Sequence, residues 1–150
     1  MMRRLILMLV LLTSLTGYAV NVPKHVFIRA SSCDGKIPSA VLTSFREEIR
    51  ASKGYQLATS MTDDGGLGVV LTVYMNCAEL TGQGNFGIAS IATIYGQGRC
   101  VLGSCYVTSN EFTLRSALCG SNVALDCGRD LFRNLDDYWS GPNSPPLQLK

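Results

Sequence analysis

The chain has 150 residues, of which 47% are hydrophobic and 16% charged, and its formal net charge is +2. Arg3 and Arg4 fall in an expected leader, so the remainder carries eleven basic residues against eleven acidic ones. A balanced chain of this kind lacks the basic footprint of a nucleic-acid binder and the basic patch expected at an anionic membrane surface.

The first residues read as a secretory signal peptide. Arg3 and Arg4 form a positive n-region, Leu5 to Leu12 is an unbroken apolar run, and Thr13 to Thr16 is a polar break. Gly17 and Ala19 supply small residues for cleavage after Ala19. The apolar run is far shorter than the ~20 residues of a spanning helix, so no stable membrane anchor is expected after cleavage. No cysteine follows the small residues, which argues against a lipoprotein anchor. Residues 20–140 are expected to form one domain, large enough to bury its own core. Residues 141–150 carry three prolines and are expected to be an extended or disordered tail.

Along the domain, His25 to Arg29 is a β-rich run, and Ser31 to Lys36 is a turn cluster. From Pro38 to Lys53, Val41, Leu42, Phe45 and Ile49 recur at helical spacing, with Pro38 in the first turn and Gly54 at the C′ position. Arg46, Glu47, Glu48, Arg50 and Lys53 form its wet side. Tyr55 to Met61 reads as a strand, and Thr62 to Gly66 as a tight turn with an Asp-Gly hairpin signal. In Leu67 to Cys77, the residues Leu67, Val69, Leu71, Val73 and Met75 alternate and must face a core. Ala78 to Asn85 reads as a loop, Phe86 to Tyr95 as a strand and Gly96 to Ser104 as a turn. Tyr106 to Leu118 reads as a fifth strand, with Phe112 and Leu114 on one face and Glu111, Thr113 and Arg115 on the other. Ser121 or Asn122 can cap a last helix whose inner stripe is Ala124, Gly128, Leu131, Phe132, Leu135 and Trp139. Asp126, Asp130 and Arg133 take its outer face, and Gly141 and Pro142 stop it.

The expected order is β-α-β-β-β-β-α. This is an α+β fold with a mixed, mostly antiparallel sheet of about five strands and two helices packed on one face. The opening strand–helix–strand is expected to join parallel strands and the following hairpins antiparallel ones. The stretch Pro38 to Cys77 places RASKGYQLATS at the helix end and DDGG before an alternating strand. It resembles in outline small periplasmic domains such as the N-terminal domain of TolB and the LpoB-type cofactors of cell-wall synthases. That resemblance implies architecture and carries no functional motif.

Six cysteines follow the leader: Cys33, Cys77, Cys100, Cys105, Cys119 and Cys127. An even number in an exported chain reads as three disulfides. Many connectivities are possible. Local geometry suggests Cys100–Cys105 and Cys119–Cys127, leaving Cys33–Cys77 as the long-range bridge. The spacings fit neither a zinc knuckle nor a C-x-x-C redox motif, so no metal or cofactor is expected. No asparagine lies in an N-x-Ser/Thr sequon, which favours a bacterial periplasm over the eukaryotic secretory route.

Catalytic signals are sparse. The single histidine, His25, has no nucleophile motif near it in sequence. Asp63-Asp64 falls in a turn, and Asp136-Asp137 are helix neighbours pointing about 100° apart. The glycines of TGQGNFG (81–87) lack the lysine and helix of a phosphate loop. Two loops remain as interaction candidates: one bearing Asn85 and Phe86, the other Arg99, Val101 and Leu102. Val101 and Leu102 either fold back onto the domain or stand out as a pre-ordered docking tip. The expectation is a small exported, non-enzymatic interaction protein of the bacterial cell envelope with a protein partner there: an inhibitor, an immunity protein or an accessory subunit. A small secreted hydrolase using carboxylates is the second reading.

Overall fold

The computed structural model describes residues 22–80 and 87–140, with the side chains of residues 108–113 outside that description. The expected leader, the loop residues Asn85 and Phe86, the facing of Glu111, Phe112 and Thr113, and the tail at 141–150 lie outside the described residues. Among the described residues seven elements follow one another: β1 (Lys24–Ser31), α1 (Lys36–Ala51), β2 (Tyr55–Leu57), β3 (Val70–Glu79), β4 (Ile88–Val101), β5 (Ser104–Gly120) and α2 (Ala124–Ser140). The strands form one sheet in the order β2-β1-β3-β4-β5. β1 runs parallel to both β2 and β3, and the remaining pairs are antiparallel. The fold is therefore α+β with a mixed sheet.

One face of the sheet meets both helices. Val26, Leu71, Val73, Met75, Ile91 and Tyr95 pack with Val41, Phe45 and Ile49 of α1 and with Leu131 and Leu135 of α2. Each such large side chain, fully buried, stabilises by about 1.5–3 kcal/mol relative to exposure. The helices cross where α2 has no side chain: a Cβ on Gly128 would stand 2.5 Å from the Val41 carbonyl oxygen and 2.6 Å from Ser44 Cβ. Ser44 Oγ donates to the Leu125 carbonyl at 2.7 Å at the same crossing. Arg129 of α2 reaches Glu48 of α1 at 3.0 Å on the solvent side.

The three disulfides are Cys33–Cys77, Cys100–Cys105 and Cys119–Cys127. They tie the β1–α1 connection to β3, the two arms of the β4–β5 hairpin to each other, and the end of β5 to α2. No described helix is long and apolar enough to cross a membrane.

Several local expectations are corrected. α1 starts two residues earlier than expected and ends at Ala51. Its C-cap, Ser52, is extended and donates its N–H to the Glu48 and Ile49 carbonyls. Gly54 is therefore not its C′ glycine. Neither Ser121 nor Asn122 caps α2. Val123 holds the position before the helix, and its carbonyl accepts from the Cys127 N–H at 2.9 Å. β2 is three residues long and does not form a hairpin with β3. Leu57 and Leu71 both sit opposite Val26, on its two sides. Residues 58–69 carry the chain across β1 on the face away from the helices, and Leu67 lies in that crossing rather than in the strand.

Ala78 and Glu79 belong to β3, and β4 continues to Val101, so the expected turn at Gly96 to Ser104 shrinks to Leu102 and Gly103. The glycines that suggested a turn serve close packing instead. A Cβ at Gly96 would stand 2.6 Å from Val107, and one at Gly98 would stand 2.7 Å from Thr72 Oγ1 and 2.8 Å from Met61 of the crossing loop. At Gly96 the register slips: Tyr95 pairs with Thr113 and Gln97 with Thr108.

Candidate functional site

The β4–β5 hairpin runs past the start of β3, whose first residue, Val70, pairs with Gly98. Beyond that level no described strand lies beside it. The free end is closed by Cys100 and Cys105, which face each other in register and are bonded. Leu102 and Gly103 make the two-residue turn, with φ of 51° and 81°. Paired positive φ values are what a two-residue hairpin turn needs, and Asn-Gly or Asp-Gly normally supplies them. A γ-branched residue there carries a backbone cost of about 1–2 kcal/mol. Leu102 recovers none of it by packing: its relative exposure is 102%. Val101 is half-buried and Tyr106 is 45% exposed. Of the two readings for this tip, Leu102 stands out while Val101 is partly covered. Arg99 sits one residue inside the clip, with Nε and Nη2 buried and without a hydrogen-bond partner.

The other chemistry-bearing residues form two structural clusters. His25 lies on the open face beneath the crossing loop, its Nδ1 donating to the Asp63 carbonyl at 2.9 Å and to Oδ1 at 3.0 Å. A Cβ on Gly65 would stand 2.5 Å from His25 Nε2, so the second ring nitrogen is roofed by backbone. Asp63 also accepts from the Thr59 N–H at 3.0 Å. That bond, followed by His25, holds its carboxyl below the usual range. Asp64 Oδ1 caps the Gly66 N–H of the same loop. This pair of carboxylates shapes a crossing.

The second cluster was not anticipated. Lys24 Nζ donates to the Trp139 carbonyl at 2.9 Å and to Ser140 Oγ at 3.1 Å. Tyr55 OH donates to Asp136 Oδ1 at 2.8 Å and lies 3.0 Å from Ser140 Oγ. Burial pushes the Lys24 ammonium below its ordinary value, opposed by Asp136, and pushes the Tyr55 phenol up. A serine between a lysine and a tyrosine suggests a nucleophile, but Ser140 ends a helix. Carbonyls point outward there, and the dipole is unfavourable to a developing oxyanion. The cluster reads as a C-terminal cap that ties α2 to β1 and β2. Asp137, expected to diverge from Asp136, is exposed. Sequence spacing gave no signal for this cluster, because Lys24 and Trp139 are 115 positions apart.

The open face beyond the crossing loop was also not anticipated as a surface. Tyr74, Ala92 and Ile94 are half-buried there, and Leu114 and Leu118 are 63% and 72% exposed.

No protein-family model matches the chain, and comparison with curated proteins finds no similar sequence.

Proposed function

We propose that this chain is a small exported docking protein of the bacterial cell envelope, acting without turnover as an inhibitor, an immunity protein or an accessory subunit. The observation that carries the reading is Leu102, an aliphatic side chain held wholly in solvent on a positive-φ backbone at a disulfide-clipped tip. Both features cost stability within the monomer, and strained residues of this kind concentrate at functional sites. An apolar knob on a pre-ordered turn loses little entropy on entering a partner's pocket. Export is supported by the basic and apolar opening of the sequence and by three formed disulfides.

The test compares immobilised wild-type protein with Leu102→Asn, a substitution that suits the turn, in capture from envelope extract. The expected result is a defined protein retained by the wild type and by Leu102→Met, an unbranched aliphatic side chain, and lost with Leu102→Asn. Equal capture by the Asn variant overturns the role of the tip. Reproducible turnover by the purified protein on peptidoglycan, peptide or ester substrates overturns the non-enzymatic reading.

A further inference from the structure

β5 has 17 residues and lies at the edge of the sheet, with no described strand on its outer side. The opposite edge, β2, has three residues. Exposed edges are usually blunted by proline, lysine or inward-pointing charge. From Leu114 to Gly120 the strand reads LRSALCG, whose single charge is Arg115. By alternation Arg115 belongs to the helix-side face together with Thr93, its partner in β4; it is exposed there and is the one blunting charge on this stretch, leaving the open face of the edge uncharged. The open face of the same stretch carries Leu114 and Leu118, with the small exposed Ser116 between them. Leu114 continues an apolar row across the sheet through Ile94 to Tyr74, its successive register partners.

We infer that this edge pairs with the same edge of a second copy of the chain, antiparallel, about a two-fold axis through Ser116. An antiparallel pair of identical strands is isologous, so each contact occurs twice. With the axis at Ser116, Leu114 stands opposite Leu118 of the second copy, and Leu118 opposite its Leu114. Both solvent-facing leucines are then covered in one register, as cross-strand pairs on a common face. Arg115 stands opposite Ala117 of the second copy, so like charges do not face each other. A whole-chain net charge of only +2 leaves little long-range repulsion between copies. The result is a continuous ten-stranded sheet in which each Tyr74–Ile94–Leu114 row ends against Leu118 of the second copy, whose own partner in β4 is Ser90. A foreign extended strand would satisfy the backbone edge equally, but it would not bring this leucine reciprocity.

The test is sedimentation velocity of the purified, oxidised protein over about two decades of concentration, since a dimer's population follows mass action. A reversible dimer is expected. Leu118→Lys adds a charge at a side chain already in solvent, so the monomer folds, and its dimer should be weaker by about tenfold or more. Ser116→Cys should oxidise to a covalent dimer joined at position 116, with the three native bridges intact by peptide mapping. A protein that stays monomeric throughout overturns the inference, as does a dimer that neither Leu118→Lys weakens nor Ser116→Cys links. A dimer lost with Leu102→Asn instead would place the contact at the hairpin tip and also overturn it. The tip reading of function stands or falls separately.

Discussion

His25 Nδ1 donates at once to the backbone carbonyl and to the carboxylate of Asp63, at 2.9 and 3.0 Å. Both partners are acceptors, so Nδ1 is the donor in this contact. The bond pins the chain as it passes from β2, over β1, to β3. It acts beside Met61, which lies against the Gly98 backbone and holds the same loop to the sheet.

The Asp63 carboxyl is held below its ordinary value by the Thr59 N–H and His25. A carboxylate with a depressed folded-state value contributes stability that is present above its unfolded value, near 4. That contribution is lost as pH falls through the lower folded value. Urea midpoints should therefore fall more steeply below about pH 4 for wild type than for Asp63→Asn. Parallel acid limbs for the two proteins would remove the clamp from the stability argument.

Gly128→Ala should destabilise by about 1–3 kcal/mol, because the new methyl meets the α1 backbone and forces the helices apart. The usual gain from replacing a helical glycine, about 1 kcal/mol, is overridden by the clash. Chemical denaturation reads the sign directly. A stabilised variant would mean that the crossing relaxes freely.

The bridges should differ in value. In the chain-entropy model, Cys33–Cys77 closes a separation of 44 residues and stabilises by about 4 kcal/mol. Cys100–Cys105 closes five residues and stabilises by about 2 kcal/mol. Double alanine variants of each pair, compared by denaturant unfolding, should keep that order. The tip variant should remain folded and lose docking more than stability.

Leu102→Asn should raise stability by about 1 kcal/mol, since asparagine tolerates the positive-φ turn that leucine resists. Stability gained with docking lost is the signature of a residue kept for a partner. Unchanged or lower stability would show that Leu102 has contacts of its own.

Helix faces and the buried face of β3 were legible because their signals are local. Val41, Phe45 and Ile49 recur on one helical stripe, and Leu71, Val73 and Met75 alternate along one strand, whatever surrounds them. The disulfide pairing followed similarly: two bridges close short loops, leaving one pair over. Gly96 and Gly98 misled, because a missing side chain signals a turn and a close approach alike. Only the position of Val107, Thr72 and Met61 distinguishes the two. Asp63 to Gly66 misled for a related reason: a hairpin signal specifies a bend and not which strand lies beside the next.

By itself, the order of residues determined the succession of strands and helices and the buried stripes, and suggested the thiol pairs, through periodicity and short loops. The tertiary structure decided that β1 sits between β2 and β3, that Lys24 meets the end of α2, and that Leu102, Leu114 and Leu118 face solvent. Those facts depend on which surfaces the packed elements leave uncovered. A hydrophobic residue carries the same local signal whether its neighbours bury it or leave it for a partner.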